Sequence, residues 1–141
     1  MKKMLALMLA LMCSVAPTVL LAAEPNLVGD WTLTFQGYYG NDTVGVTYGQ
    51  ADMTLHITAQ TGGAFAGNAV LDVDGSSTHG LITGVAQKNE LHMVWGGNNF
   101  IHGTIVNPGS RGKMRLKLIM ETQQMSDADT QGVLYGTGVA Q

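Results

Sequence analysis

Runs of alternating apolar and polar residues, closed by clusters of Gly, Asn, Asp or Ser, recur eight times between residues 27 and 140. Side chains of an extended strand point to opposite faces in turn, so a period of two specifies half-buried strands. The runs are 27 to 36, 51 to 59, 64 to 73, 78 to 87, 90 to 95, 99 to 106, 113 to 122 and 132 to 140. Strands this short, regularly spaced and joined by turn residues, define an all-β fold. Closing them as an eight-stranded antiparallel up-and-down β-barrel removes every exposed edge, and a two-sheet β-sandwich is the alternative.

Hairpin registers follow from the same pattern. A loop at Thr61-Gly62-Gly63 pairs Ala59 with Phe65, Ile57 with Gly67, Leu55 with Ala69 and Met53 with Leu71, apolar against apolar throughout. Lys88-Asn89 makes a two-residue connection between the fourth and fifth strands. Turning at Gly96-Gly97-Asn98-Asn99 pairs Trp95 with Phe100 and Met93 with His102, which sets His92 and His102 on opposite faces. The seventh strand places Met114, Leu116, Leu118 and Met120 inside and Lys113, Arg115 and Lys117 outside. Residues 37 to 50 read as a polar, Gly- and Tyr-rich loop over one barrel end, with a short strand at 44 to 48.

Ahead of these strands, Lys2 and Lys3, the apolar run from Met4 to Met12 and the small exit Leu21-Ala22-Ala23 have the form of a cleaved signal peptide over residues 1–23. Residues 24–141, about 118 in number, then suffice for one domain with one core, periplasmic or secreted. The one cysteine is Cys13, so the mature chain is expected to hold neither a disulfide nor a thiolate metal site. Lys+Arg 7 against Asp+Glu 10 gives a formal charge of -3; without Lys2 and Lys3 this becomes about -5. An acidic chain of this kind is not a nucleic-acid binder. No apolar run beyond the leader is long enough for a spanning helix, and His, Asp, Asn, Lys and Arg on outward positions weigh against a membrane-spanning barrel.

Gly29-Asp30-Trp31, opening the first strand of an exported chain of hairpins, is similar to the Gly-x-Trp that begins the first strand of calycins, the lipocalin and avidin-type barrels. The resemblance extends over the strand plan of residues 27 to 140. It implies a barrel that holds a small, often apolar, ligand, with a basic side chain from a late strand across the Trp, for which Arg115 is the nearest candidate. The chain also resembles periplasmic metalloprotease inhibitors, small barrels with a similar opening, which implies a protein partner instead.

The residues themselves offer no catalytic pattern. His56, His79, His92 and His102 form no H-x-H or H-x-x-x-H pair, so no metal site is expected. The carboxylate pairs Asp72/Asp74 and Asp127/Asp129 fall in turn-rich sequence, and the serines lack a nucleophile-elbow context. The expectation is a non-enzymatic protein without a cofactor. Trp31, Phe35, Met93, Trp95, Phe100, His102 and Tyr135 are the candidate lining of an interior site for a small hydrophobic ligand, or else they fill a closed core. Tyr38, Tyr39 and Tyr48 are the candidate contact residues of an interaction loop for a protein partner.

Overall fold

The computed structural model describes residues 24–123 and 130–141. All eight expected strands form, as β1 (Gly29–Asn41), β2 (Gly45–Thr61), β3 (Ala64–Val73), β4 (Ser76–Gln87), β5 (Glu90–Trp95), β6 (Asn99–Val106), β7 (Arg115–Thr122) and β8 (Gln131–Ala140). A single turn of 3-10 helix, Arg111–Lys113, precedes β7. Each strand pairs antiparallel with the next, and β8 returns to pair with β1, so the sheet closes into a barrel and not a sandwich.

Alternation decides what lies inside. Trp31, Leu33 and Phe35 on β1, Met53, Leu55 and Ile57 on β2, and Leu116, Leu118 and Met120 on β7 all point inward and are at most 2% exposed. Together with Leu71, Ile82, Leu91, Met93, Trp95, Ile101 and Leu134 they form one continuous core cluster. Inward glycines do not leave this interior empty. A Cβ built on Gly136 would lie 2.3 Å from Phe35, and one on Gly138 2.3 Å from Leu33, because those large β1 side chains occupy the space the glycines leave. Gly80 similarly makes room for Trp95, and Gly84 for Phe65. Large against small across neighbouring strands is how a narrow barrel reaches interior packing density.

The end of the barrel at the start of β1 is sealed by the segment before it. Leu27 is buried, and its carbonyl accepts a 2.8 Å hydrogen bond from the Trp31 indole N–H. Gln60 clasps the same segment: its amide donates to the Pro25 carbonyl and its side-chain oxygen accepts from the Leu27 N–H, both at 2.8 Å. A β-bulge between Ile57 and Ala59 makes this clasp. It also shifts the expected pairing, so that Ala59 opposes Ala66 and Gln60 opposes Phe65, with Thr61 facing Ala64 across a two-residue Gly62-Gly63 turn.

Residues 37 to 50 do not form a loop. They complete a long hairpin in which Tyr38 opposes Tyr48 and Asn41 opposes Gly45. At its tip the Asn41 carboxamide oxygen accepts from the N–H groups of Thr43 and Val44, and Gly45 adopts φ 80, the left-handed conformation a short hairpin loop requires.

Gly136→Val drives a branched side chain into the Phe35 ring and should cost about 1–3 kcal/mol. Urea denaturation is the check: a lower midpoint with an unchanged slope is expected, whereas wild-type stability would mean that the β1–β8 seam has slack.

Candidate functional site

The candidate lining residues divide between the two sides of the wall. Trp31, Phe35, Met93 and Trp95 are 0–3% exposed, within the packed core. Phe100 and Tyr135 are instead on the outside, at 48% and 56% exposure, and His102 is half-buried there.

The β5–β6 loop accounts for the first displacement. Gly96 and Gly97 both take positive φ and close the hairpin in three residues, so Trp95 opposes Asn99, Met93 opposes Ile101, and Val94 opposes Phe100. One residue of shift moves every side chain of a strand to the other face. Asn99 thereby enters the barrel end, where its amide donates to the Trp95 carbonyl at 3.2 Å and its oxygen accepts from the Thr122 hydroxyl and the Gln123 N–H. His92 and His102 become direct cross-strand neighbours on the outer face, not residues on opposite faces. On β8 the inward positions belong to Leu134, Gly136 and Gly138, which fit against β1 as described, and Tyr135 is left outside.

These displaced residues meet others on the exterior. One outer row around the barrel reads Tyr48, Tyr38, Val133, Glu121, Phe100, Val94. The next reads Tyr135, Ile119, His102, His92, Val85. Tyr38, Tyr48, Val85, Val133, Tyr135 and Phe100 are each about half or more exposed. Their rings make few mutual contacts, the Tyr38 and Tyr48 pair excepted, which meet edge to face with centroids 5.2 Å apart. Phe100 borders two shallow grooves. One, of about 450 Å³, is lined by Val85, His92, Val94 and His102; the other, of about 370 Å³, by Tyr38, Val46, Glu121 and Val133.

The opposite exterior is polar. Asp52, Thr54, His56, Asn68 and Asp72 project from β2 and β3 into water. His56 Nδ1 meets Asp30 Oδ1 at 2.5 Å, and the Ser77 hydroxyl donates to Asp72, both at exposed positions. Exposed pairs like these contribute little stability. Arg115 does not cross Trp31: it is exposed, and its guanidinium donates to the Met114 carbonyl at 3.0 Å. Trp31 is held instead through its indole N–H, which donates to the Leu27 carbonyl.

Tyr38 and Tyr48 point outward from the long hairpin, but Tyr39 turns in over the barrel rim. Its ring covers Gly49 and its hydroxyl donates to Asp74 Oδ2 at 3.0 Å, strapping the tall hairpin to the β3–β4 turn. Burial first, then that hydrogen bond and the charge of Asp74, raise the Tyr39 phenol above its ordinary value of 10.0. Among the described residues no three His, Cys, Asp or Glu side chains converge to hold a metal ion, and no helix is long and apolar enough to cross a membrane. Asp127 and Asp129 lie outside the described residues.

No protein-family model and no curated protein matches the sequence. Among solved structures the chain is similar to a redesigned β-barrel, with a TM-score of 0.52 and 16% identity over 82% of this chain and 91% of that one. At that identity the likeness shows the barrel fold and nothing about activity.

Neutral Tyr39 is favoured by folding, so the strap contributes stability below the ordinary phenol range and loses it as pH rises through the raised folded value. Melting temperature should therefore fall more steeply as pH rises above about 10 in the wild type than in Tyr39→Phe. Parallel pH–melting curves would show that the strap is not formed in solution.

Proposed function

We propose that this chain is an exported, non-enzymatic barrel that acts as a protein-interaction module through its outer apolar face. The observation that carries the reading is the segregation of the exterior. Large apolar and aromatic side chains gather around Phe100 from β4 to the β1–β2 hairpin, while β2 and β3 present carboxylates, hydroxyls and amides. Scattered exposed apolar residues are ordinary, but neighbouring outer rows that carry several large apolar and aromatic side chains have the composition of an interface. Rigid tyrosines on a hairpin held by backbone pairing supply contact area at small entropic cost. Export rests on the form of the first 23 residues. The resemblance to calycins and to periplasmic metalloprotease inhibitors fits the barrel and extends the reading to a secreted protease as partner.

A second reading has its own support. The groove of about 450 Å³ beside Phe100, with Val85 and Val94 as apolar walls and His92 and His102 at its edge, has the size of a small-molecule site. A small hydrophobic molecule would lie there, on the wall, since the large inward side chains form one packed cluster.

The test uses the outer-face variant Phe100→Ser/Val133→Ser, whose exposed positions leave the core untouched. A panel of secreted metalloproteases should include one that the wild type inhibits and that the variant inhibits at least tenfold less, at an unchanged melting temperature. If no protease is inhibited while fatty acids, retinoids or quinones raise the melting temperature of the wild type alone, the small-molecule reading replaces the first. Equal behaviour of variant and wild type in both assays would remove the face from the function.

A further inference from the structure

The rim at the hairpin end is oblique. β2 begins at Gly45 but acquires its β3 partner only at Ala51, which faces Val73. Gly45–Gln50, six residues, therefore pair with β1 on one side and with no described strand on the other. Ser76–Leu81 of β4 likewise pair with β3 and with no described strand on the other side, the Leu81 carbonyl accepting from the Gly96 N–H, so the rim leaves two such edges; the one on β2 is about 20 Å long at strand spacing. Natural sheets blunt such edges with charge, proline or a covering segment. Here Gly-Val-Thr-Tyr-Gly-Gln contains neither charge nor proline, and Val46 and Tyr48 are 77% and 60% exposed. The Asn41 turn and the Tyr39–Asp74 strap hold the edge extended in the isolated chain.

We propose that this edge pairs antiparallel with the same edge of a second copy, joining two barrels through a continuous sheet. β3 ends at Val73, opposite Ala51, so no described strand lies beside Gly45–Gln50 beyond the Asp74-Gly75 turn. A copy turned about a two-fold axis brings its own Gly45–Gln50 into that space while offering the same vacancy in return. The axis runs perpendicular to the sheet, so Val46, Tyr48 and Gln50 of both copies lie on the same outer side. No like charges meet along the paired residues, which matters for a chain of net negative charge. A foreign peptide would have to be ordered on binding, whereas the second edge is already built. Two six-residue edges cover less than the roughly 1,200 Å² of a standard interface, so the dimer is weak and depends on concentration. The edge adjoins the face around Phe100, whose row includes Tyr48 and whose groove includes Val46, so Phe100→Ser/Val133→Ser, which leaves Gly45–Gln50 unchanged, is the variant that separates the fate of the dimer from that of the proposed function.

Light scattering on the full mature chain should show the mass rising from one copy toward two as concentration increases to about 200 μM. Val46→Lys/Tyr48→Lys, at exposed positions that set like charges across the paired edges, should remain a single copy with the melting temperature of the wild type. Hydrogen exchange at the amides of residues 45 to 50 should slow with concentration in the wild type and not in the variant. The proposal is overturned if the wild type stays a single copy throughout. It is equally overturned if a dimer forms that the two lysines leave intact, or that only Phe100→Ser/Val133→Ser dissociates.

Discussion

The barrel exists because β1 can lie flat against β8, and that contact is possible only where one strand carries bulk and the other carries none. Phe35 and Leu33 project inward from β1 at the rows where β8 has Gly136 and Gly138. With side chains on both strands the seam would be overfilled, and with glycine on both it would be a void. The same division of space recurs where Trp95 occupies the room beside Gly80, so bulk from one strand fills its neighbour's vacancy. Closure, core density and the outward placement of Tyr135 follow from this one geometric bargain.

Its effect on function runs through the outer surface. Because inward positions on every strand fill the interior, the alternate positions of the same strands are free to carry residues chosen for something other than stability. β5, β6 and β8 use that freedom for Val94, Phe100, Val133 and Tyr135, whereas β2 from Asp52 onward and β3 use it for solvated polar groups. The barrel is thus two-sided in a sense that a sandwich half-exposed to water is not. Its hydrophobic interior is complete, and its apolar exterior is confined to part of the circumference.

Strand number, closure and the facing of β1, β2, β3 and β7 were legible in the chain, because alternation there is long and unambiguous. Met114, Leu116, Leu118 and Met120 could face only one way. β6 departs from its apolar pattern because its first inward residue is Asn99, a polar side chain that satisfies three groups at the barrel end, while the aromatic Phe100 is half exposed. Apolar content pointed to the wrong parity, and the conformations of Gly96 and Gly97 that decide it are not visible in composition. The clasp by Gln60 had no local signal either, since it joins residues more than thirty apart through a bulge. The hairpin of residues 37 to 50 has little strand signal in the sequence because glycine and tyrosine interrupt the apolar alternation. Pairing with β1, not burial, holds it extended.

The seam between first and last strand also sets the order in which the chain can fold. Gln141 bonds to Asp30 and Thr32, and Trp31 pairs with Ala140, so β1 completes its pairing only when β8, about a hundred residues along the chain, arrives. Hairpins from β2 to β7 can form from neighbours, but β1 keeps one unpaired side until β8 emerges. Contacts at such sequence separation carry a large loop-closure cost and slow the final step. Closure therefore waits for β8, and the free side of β1 stays open until the two strands meet.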